Sequence, residues 1–317
     1  MKLLAYGLLP FSWLYQSIIS IRRFCYQKKI FKMTRFPVPV IIIGNISLGG
    51  TGKTPLVIWL ANQLKKHGLK PGIVSRGYGG KAKYYPCAVT ANSRPAEVGD
   101  EPVIIAKQTK CPIYVAPNRV AAVKQLLKDH SCDIIIGDDG LQHYALARDI
   151  EVAVIDGERR LGNALCLPAG RLREPPKRLQ EVDFIICNGG QVQTGEYLMQ
   201  LIPADFCSVN KTQTTKTLDY FKNKTLHAVA GIGHPARFFK LLRQLGLTII
   251  EHPFPDHHLF QKNEFNFAKD QLIVMTEKDA IKCQDFADEN YWYLPVQAQL
   301  NNTLLAKILA KLNTVSA

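Results

Sequence analysis

The chain has 317 residues, of which 47% are apolar and 21% charged, and its formal net charge is +14. This composition excludes a disordered chain and is enough for one large or two ordinary hydrophobic cores. The 8 cysteines contain no C-x-x-C pair, which favours buried thiols over disulfides or a zinc site. The positive charge predicts an anionic partner, either a phosphorylated substrate or an acidic lipid, and we expect no nucleic acid because the sequence contains no recognition helix, zinc finger or aromatic-basic sheet motif.

The first predicted element is an apolar segment over residues 3–21, which contains Trp13 and few polar residues. Its length approaches that of a membrane span, but Pro10 and several serines equally favour a helix that lies along a membrane surface. An amphipathic helix of the core is the alternative. A basic flank follows at Arg22, Arg23, Lys28, Lys29, Lys32 and Arg35. Since such flanks face the cytoplasm, we predict a membrane-associated unit over residues 1–35 that contacts an anionic membrane surface.

The second element is a strand at residues 39–43, followed by a glycine-rich loop and a helix that begins near Pro55. Residues 47–54 match G-x-x-x-x-G-K-[ST], except that Ser47 replaces the first glycine. In such a loop the backbone N–H groups bind phosphate oxygens, the lysine adds a charge and the next hydroxyl binds Mg²⁺. The predicted nucleotide-binding residues are Gly49, Gly50, Thr51, Gly52, Lys53 and Thr54.

The next predicted units place charged residues at strand ends and helix starts. A strand at residues 71–75 leads into a glycine-rich loop with Arg76, and the carboxyl ends of parallel strands are where α/β sheets bind ligands. Another helix begins at Asp100 and Glu101, where acidic residues either serve a site or complement the helix dipole. A further helix begins near Asn118 and carries Arg119.

A strand at residues 132–136 ends on Asp138 and Asp139. Two adjacent carboxylates at a strand end are costly without a cation, so we favour a metal-binding role for them over helix capping, without ranking the two. His143 follows closely, and a basic loop at residues 167–176 contains Arg171 and a single carboxylate, Glu174.

A second set of alternating strands and helices begins after the polar residues 211–216. Predicted strands lie at residues 226–230, 247–251, 271–275 and 291–296. The predicted fold is α/β: a P-loop NTPase-like, doubly wound and mainly parallel sheet over residues 36–215, with a smaller α/β domain over residues 216–317 that closes the cleft.

These motifs together resemble the tetraacyldisaccharide 4'-kinases of bacterial lipid A synthesis, along nearly the whole chain. This family shares the serine in place of the first loop glycine. Besides the phosphate loop, the matching stretches include Ser75-Arg76-Gly77-Tyr78-Gly79-Gly80-Lys81, Asp138-Asp139-Gly140-Leu141-Gln142-His143, Leu167-Pro168-Ala169-Gly170 and Thr276-Glu277-Lys278-Asp279. The resemblance implies transfer of the γ-phosphoryl group of ATP, with Mg²⁺, to the 4'-hydroxyl of an acylated glucosamine disaccharide 1-phosphate. It places the enzyme at the cytoplasmic face of the bacterial inner membrane, with no obligate protein partner inferred.

The resemblance also implies roles for individual residues. Lys53 would bind phosphate, Asp100 would be the general base and His257 its partner, with His258 as the competing histidine. Asp100 and His257 lie in different predicted domains, so closure over ATP would be needed to bring them together. The metal candidates are Thr54, Asp138, Asp139 and Glu101. The substrate candidates are Arg76, Arg119, His143, Arg171 and Glu174, and residues 231–233 would contact the adenine.

Rival interpretations start from the same phosphate loop. A membrane-associated P-loop ATPase that acts as a targeting or partitioning switch would carry a lysine where this chain has Leu48. A regulatory GTPase would carry [NT]-K-x-D, and Lys278 stands one place too late for that motif. A soluble cofactor or nucleoside kinase would not explain the apolar N-terminal segment.

Overall fold

The computed structural model describes residues 7–210, 214–268 and 271–316, so residues 3–6 of the predicted membrane segment and residues 211–213 of the polar stretch lie outside the described residues. Within the described ranges the chain forms one sheet of nine strands and one of six. Both contain mainly parallel pairs, as an alternation of strands and helices dictates. The predicted α/β class is confirmed.

The larger sheet has the spatial order β15-β8-β7-β6-β1-β5-β2-β4-β3. Its strands are β1 (Val40–Gly44), β2 (Pro71–Ser75), β3 (Cys87–Val89), β4 (Ile113–Val115), β5 (Ile134–Asp138), β6 (Ile150–Asp156), β7 (Phe184–Asn188), β8 (Glu196–Pro203) and β15 (Val296–Leu300). The two edge strands, β3 and β15, are antiparallel to their neighbours. Their edge positions leave β1 central, with β5 on one side and β6 on the other.

Helices cover both faces of this sheet. They are α1 (Leu9–Gln27), α2 (Lys53–Lys66), α3 (Pro95–Val98), α4 (Asp100–Thr109), α5 (Arg119–Asp129) and the C-terminal α9 (Asn302–Ser316). Ile41 and Ile43 of β1 pack in a core with residues of α2, α4 and α9, while Ile42 packs in a second core with residues of α5. Because alternate side chains of a strand point to opposite faces, the continuous apolar run of β1 is buried on both sides.

The smaller sheet has the order β10-β9-β14-β13-β11-β12. Its strands are β9 (Phe206–Ser208), β10 (Thr215–Lys216), β11 (Thr225–Ala230), β12 (Thr248–Pro253), β13 (Ile273–Thr276) and β14 (Tyr291–Leu294), with helices α6 (Leu218–Phe221), α7 (Pro235–Gln244) and α8 (Glu277–Cys283). Strands β11 to β14 pair in parallel, and aromatic side chains such as Phe206, Phe221 and Trp292 fill the core on one face.

The boundary between the two units differs from the predicted one at residue 216. Strand pairing puts residues 206–294 in the smaller unit, hereafter the small lobe, and returns the chain to the large lobe at β15. The predicted strand over 291–296 is divided because Pro295 offers no backbone N–H to a neighbouring strand. The Ala204 N–H donates to the carbonyl of Pro295 at 3.0 Å, so the two chain crossings between the lobes lie side by side.

Helix α1 packs one face on the large lobe and leaves the other exposed. On the packed face, the Ser12 hydroxyl donates to the carbonyl of Cys166 at 2.7 Å and the Tyr15 hydroxyl to that of Arg173 at 3.3 Å. On the outer face, apolar side chains are 51% to 63% exposed: Phe11, Trp13, Leu14, Ile18, Ile21 and Phe24. Among residues 7–210, 214–268 and 271–316, no helix has both the length and the apolar character that a membrane crossing requires.

Candidate active site

The glycine-rich loop joins β1 to α2 at the carboxyl edge of the large sheet. Gly49 and Gly52 have φ angles of +98° and +95°, which side-chain-bearing residues rarely adopt. At position 52 a Cβ would stand 2.2 Å from the amide nitrogen of Asn188, so the site also requires the absence of a side chain. The loop therefore ends on a glycine that directs Lys53 and Thr54 into the first turn of α2.

Three successive loop carbonyls accept hydrogen bonds from side chains of the large lobe. The bonds run from Asn45 Nδ2 to the Gly49 oxygen (3.4 Å), from Arg159 Nη2 to the Gly50 oxygen (3.0 Å) and from Asn188 Nδ2 to the Thr51 oxygen (2.9 Å). The position that departs from the general motif, Ser47, forms a backbone bridge with Leu172. The loop is thus fixed by its surroundings as well as by its glycines.

Lys53 extends from this loop toward the predicted metal residues. Its ammonium lies 3.5 Å from the carboxylate of Asp139, which Arg173 contacts at 3.0 Å through both oxygens. Although burial raises the pKa of Asp139, the charges of Lys53 and Arg173 hold it below its ordinary value. Asp139 is therefore an ionised carboxylate that holds two cations beside the phosphate loop.

Asp138 has a different environment from its neighbour. It is 1% exposed at the end of β5, and one of its oxygens accepts from the Ser75 hydroxyl at 2.9 Å. Among the described residues, its other oxygen has no hydrogen-bond partner. Burial, with the charges of Glu101 and Asp139, raises the pKa of Asp138 to about 7. A buried carboxylate oxygen without a partner is stabilised by a cation.

These donors fit Mg²⁺. The described residues contain no group of three or more His, Cys, Asp and Glu side chains arranged to hold a metal ion. Mg²⁺ does not need one, because it usually keeps several waters and binds one or two carboxylates together with substrate phosphates. The unpartnered oxygen of Asp138 and the hydroxyl of Thr54 are ligands of that hard, oxygen-donating kind.

Asp100 and His257 meet across the two lobes. Asp100 is the first residue of α4, and its Oδ2 lies 3.2 Å from Nδ1 of His257, which belongs to the small lobe. Burial raises the pKa of Asp100, but the hydrogen bond from His257 and the charge of Lys278 outweigh it and leave the pKa below its ordinary value. Asp100 is therefore ionised at neutral pH and can accept a proton.

The neighbouring His258 does not compete for this contact. Its Nε2 lies 2.8 Å from the carboxylate of Glu264, within the small lobe. His257 instead has a positive φ of 62°, and its ring packs against that of Tyr78 with 5.0 Å between centroids. The backbone at residue 257 directs that imidazole, and not the next one, toward Asp100.

Lys278 is a central residue of the site whose role we did not predict. Its ammonium lies 3.4 Å from Glu101, 3.5 Å from Asp256 and 3.7 Å from Asp100. These carboxylates outweigh the opposing effect of burial and raise the pKa of Lys278, so it stays charged. The available signal was Thr276-Glu277-Lys278-Asp279 at the carboxyl end of β13, which we considered only as a matching family stretch and as a test for a guanine motif.

Glu101, predicted to bind metal, points toward Lys278 and contributes negative charge near Asp138. Arg119 is 4% exposed and donates to the carbonyls of Ala116, Pro117 and Asp139 at 3.2 to 3.4 Å. Burial lowers the pKa of Arg119 to about 10, so it remains a cation at neutral pH. Arg119 thus supports the backbone that presents Asp139.

Arg76 and His143 lie in the same electrostatic environment as Arg119. Arg76 is exposed after β2, and its charge acts on both Arg119 and His143. Burial and these neighbouring arginines lower the pKa of His143 to about 4, so its imidazole is neutral at physiological pH. Its Nε2 is buried and without a partner among the described residues. This side of the site combines exposed positive charge with a neutral hydrogen-bonding group.

The two candidates from the basic loop differ in exposure. Arg171 is exposed beside the phosphate loop, where a Cβ on Gly49 would stand 3.1 Å from its Nη2. Glu174, expected to contact the sugar, is instead 1% exposed. Its carboxylate accepts from Gln142 at 2.6 Å and from the Tyr144 hydroxyl, and it lies 3.3 Å from Arg178. The carboxylate of Glu174 is therefore already hydrogen-bonded within the protein. Its sequence position next to prolines did not predict this burial.

The loop at residues 231–233 brings the small lobe to the phosphate loop. The Gly231 N–H donates to Asp279 at 3.0 Å, and a Cβ on Gly233 would stand 3.0 Å from the backbone nitrogen of Gly50. A Cβ there would require the backbone of Gly50 to shift by a few tenths of an ångström, so glycine suits this close approach. The structure thus places these glycines next to the predicted nucleotide-binding residues.

The chain is similar to known proteins along nearly its whole length. The sequence profile of the family described as Tetraacyldisaccharide-1-P 4'-kinase matches residues 4–313. Proteins named tetraacyldisaccharide 4'-kinase are 53% identical in Methylobacillus flagellatus and 51% identical in Nitrosococcus oceani, each over 96% of this chain and 90% of the relative. The protein of that name in Coxiella burnetii is 52% identical over 91% of this chain and 85% of its own length.

A solved structure agrees with these sequence matches. The crystal structure of LpxK from Aquifex aeolicus in complex with ATP superimposes with a TM-score of 0.82 at 31% sequence identity, covering 98% of this chain and 99% of that one. The similarity therefore extends over both lobes and includes a relative that binds ATP.

Proposed function

Because this chain belongs to the family of tetraacyldisaccharide 4'-kinases, we propose that the residues at the carboxyl edge of its large sheet carry out the family's reaction. The chain is an ATP-dependent kinase of lipid A biosynthesis, which transfers a phosphoryl group to the 4'-hydroxyl of an acylated glucosamine disaccharide 1-phosphate. The observation that carries the assignment of roles is the contact between Asp100 and His257 beside the phosphate loop.

The phosphate loop and Lys53 bind the triphosphate. Phosphoryl transfer requires little covalent chemistry from a protein, so positioning and charge stabilisation account for most of the catalysis. The ammonium of Lys53, 3.5 Å from Asp139, is a fixed positive charge at the start of a helix, where the backbone dipole also favours anions. Arg171, exposed beside Gly49, adds a second cation for phosphate oxygens.

Asp100 accepts the proton of the attacking hydroxyl. It is ionised at neutral pH, and His257 at 3.2 Å stabilises its negative charge before transfer and shares the proton afterward. An isolated carboxylate is a weak base for an alcohol, and the adjacent imidazole gives the proton a second acceptor. Lys278 keeps the pair in place by contacting both members, at 3.7 Å from Asp100 and 3.4 Å from His257 Nε2.

Asp138 and Thr54 would hold Mg²⁺. The unpartnered buried oxygen of Asp138 supports this choice, and it favours Asp138 over Asp139, whose carboxylate is engaged by Lys53 and Arg173. When bound, the ion neutralises phosphate charge. Arg76 and His143, on the other side of the site, would contact the acceptor disaccharide.

The exposed face of α1 would lie on the membrane, because the acylated substrate does not leave the bilayer. Apolar residues cover that face, and the basic flank continues from its end. This arrangement supports a helix that lies along the surface of the cytoplasmic face of the bacterial inner membrane. Anionic lipid would then attract the positively charged protein.

We expect Ile18→Glu combined with Ile21→Glu to reduce binding to liposomes of anionic phospholipid by about tenfold or more, since both side chains are more than half exposed on the outer face. Flotation of purified protein with such liposomes measures the bound fraction. The matched control is Ile250→Glu, which changes an exposed isoleucine of the small lobe. Equal flotation of the double variant and the control would exclude this face as the membrane contact.

The activity itself is tested with purified protein, γ-labelled ATP and a lipid extract that contains the disaccharide acceptor. We expect label on a glycolipid, in an amount that depends on both protein and extract. Release of label only as free phosphate, with no labelled lipid, would instead support the switch ATPase. Omission of Mg²⁺ in the presence of a chelator should abolish the transfer.

A further inference from the structure

The three carbonyl contacts of the phosphate loop determine where its N–H groups point. In a trans peptide the C=O and the N–H point in opposite directions. Donors to the oxygens of Gly49, Gly50 and Thr51 therefore turn the N–H groups of the next residues in the opposite direction. Those N–H groups belong to Gly50, Thr51 and Gly52, which are the ones a phosphate-binding loop uses.

Two of the three donors are linked to one side chain of the small lobe, Arg237 of α7: Asn188 directly, and Arg159 through Asp156. Arg237 Nη2 donates to the side-chain oxygen of Asn188 at 2.9 Å, and the amide nitrogen of the same Asn188 donates to Thr51. Its Nη1 lies 3.8 Å from Asp156, whose same oxygen accepts from Arg159 Nε at 3.0 Å. Arg237 thus reaches the phosphate loop by two routes, one through Asn188 alone and one through Asp156 and then Arg159.

Both routes pass through side chains that are fixed in place. Asn188 is 1% exposed and Asp156 is 3% exposed, so neither can reorient toward water when its partner is removed. Asp156 also accepts from the backbone N–H groups of Glu158 and Arg159, each at 3.0 Å. Any other orientation of Asn188 or Asp156 would leave a buried polar atom without a hydrogen bond. These side chains therefore follow the position of the Arg237 guanidinium.

We propose that Arg237 is a positioning residue for ATP, through which the small lobe sets the conformation of the phosphate loop. It turns Asn188 and Asp156–Arg159 toward the loop carbonyls, and so orients the N–H groups that receive the triphosphate. The inference rests on the proposed nucleotide site and adds to it a determinant of ATP affinity that lies on the other lobe. Arginine suits this role because its planar guanidinium contacts two acceptors at once, whereas an ammonium is a single point charge.

The same helix offers a matched control. Lys240, one turn after Arg237 on α7, also bridges the lobes, with its ammonium 2.7 Å from Glu158. Both of these side chains are largely exposed, and neither contacts the phosphate loop in the described structure. Lys240→Met therefore removes an ion pair between the lobes without changing the loop.

The experiment measures KM for ATP, KM for the lipid acceptor, kcat and the melting temperature of the wild type and of Arg237→Gln, Arg237→Lys and Lys240→Met. We expect Arg237→Gln to raise KM for ATP by about tenfold, the effect of one charged hydrogen bond, with KM for the acceptor and kcat at saturating ATP within about twofold. Arg237→Lys should give an intermediate KM for ATP, since one ammonium replaces two contacts. Lys240→Met should match the wild type in all constants.

The outcomes separate this inference from the proposed function. If the wild type turns over but Arg237→Gln has an unchanged KM for ATP, the inference is wrong and the kinase assignment stands. Equal loss in both KM values and kcat would indicate a general weakening of the interface, which also overturns it. If Arg237→Gln does not fold, Arg237→Lys decides, because a wild-type KM for ATP in that variant contradicts the two-acceptor argument. Failure of the wild type to bind ATP would refute the nucleotide site itself.

Discussion

Asp100→Asn is expected to lower kcat by about a thousandfold and to leave KM for ATP within about threefold, as the loss of a general base does. Asparagine has the shape of aspartate and still accepts from the Glu101 N–H, which lies 3.1 Å from Oδ1. It has no lone pair basic enough to take the hydroxyl proton. Lys278 keeps Glu101 and Asp256 as partners, so the variant leaves this buried cation paired.

Steady-state kinetics that follow the labelled product measure this loss of kcat. Two histidine variants provide the comparison. His257→Gln should lower kcat by a smaller factor, about tenfold to a hundredfold, because Asp100 remains and loses only its partner. His258→Gln is the matched control and should stay within twofold, since that imidazole contacts Glu264 instead. Turnover of Asp100→Asn within tenfold of the wild type would exclude Asp100 as the base.

The sequence predicts that these site residues lie close together, because parallel strands have their carboxyl ends at the same edge of a sheet. The end of β1 carries the loop with Lys53, the end of β5 carries Asp138, and β2 leads to Arg76. Each strand was visible as a short apolar run bounded by glycine or charge. Only the order of the strands was missing, and parallel pairing by itself brings their carboxyl ends to one edge of the sheet.

Contacts between distant segments could not be predicted in this way. Glu174 looked available in a basic loop, but Tyr144 and Arg178 enclose it, and no local pattern encodes that burial. The role of Lys278 depends on carboxylates more than 20 residues away on other elements. The return of β15 to the large sheet likewise depends on pairing with β8, which lies about a hundred residues earlier. Periodicity specifies elements, whereas these contacts are specified by the tertiary arrangement.

The second large effect is expected at the phosphate loop. Lys53→Met should weaken ATP binding by at least about a hundredfold and lower kcat/KM by about a thousandfold or more, since it removes a charge that contacts phosphate in both the bound and the transition state. Methionine keeps much of the aliphatic length in the first turn of α2. Arg173 still holds Asp139 at 3.0 Å, so the variant leaves that carboxylate paired and the fold intact.

Calorimetric titration with ATP and Mg²⁺ measures the binding, with Lys66→Met as control at the exposed far end of the same helix. Lys53→Arg should not restore turnover, because a planar guanidinium differs in shape and reach from the compact ammonium at the start of α2. If Lys53→Arg is as inactive as Lys53→Met, the loss is due to the geometry of the side chain and not to its charge. Both variants leave the neighbouring carboxylates in place, but only arginine retains the positive charge. ATP affinity of Lys53→Met equal to that of the control would mean that the triphosphate binds elsewhere. In that case the Asp138 site, which lies against the same loop, would have no phosphate beside it. The contact between Asp100 and His257 would then have to serve another substrate.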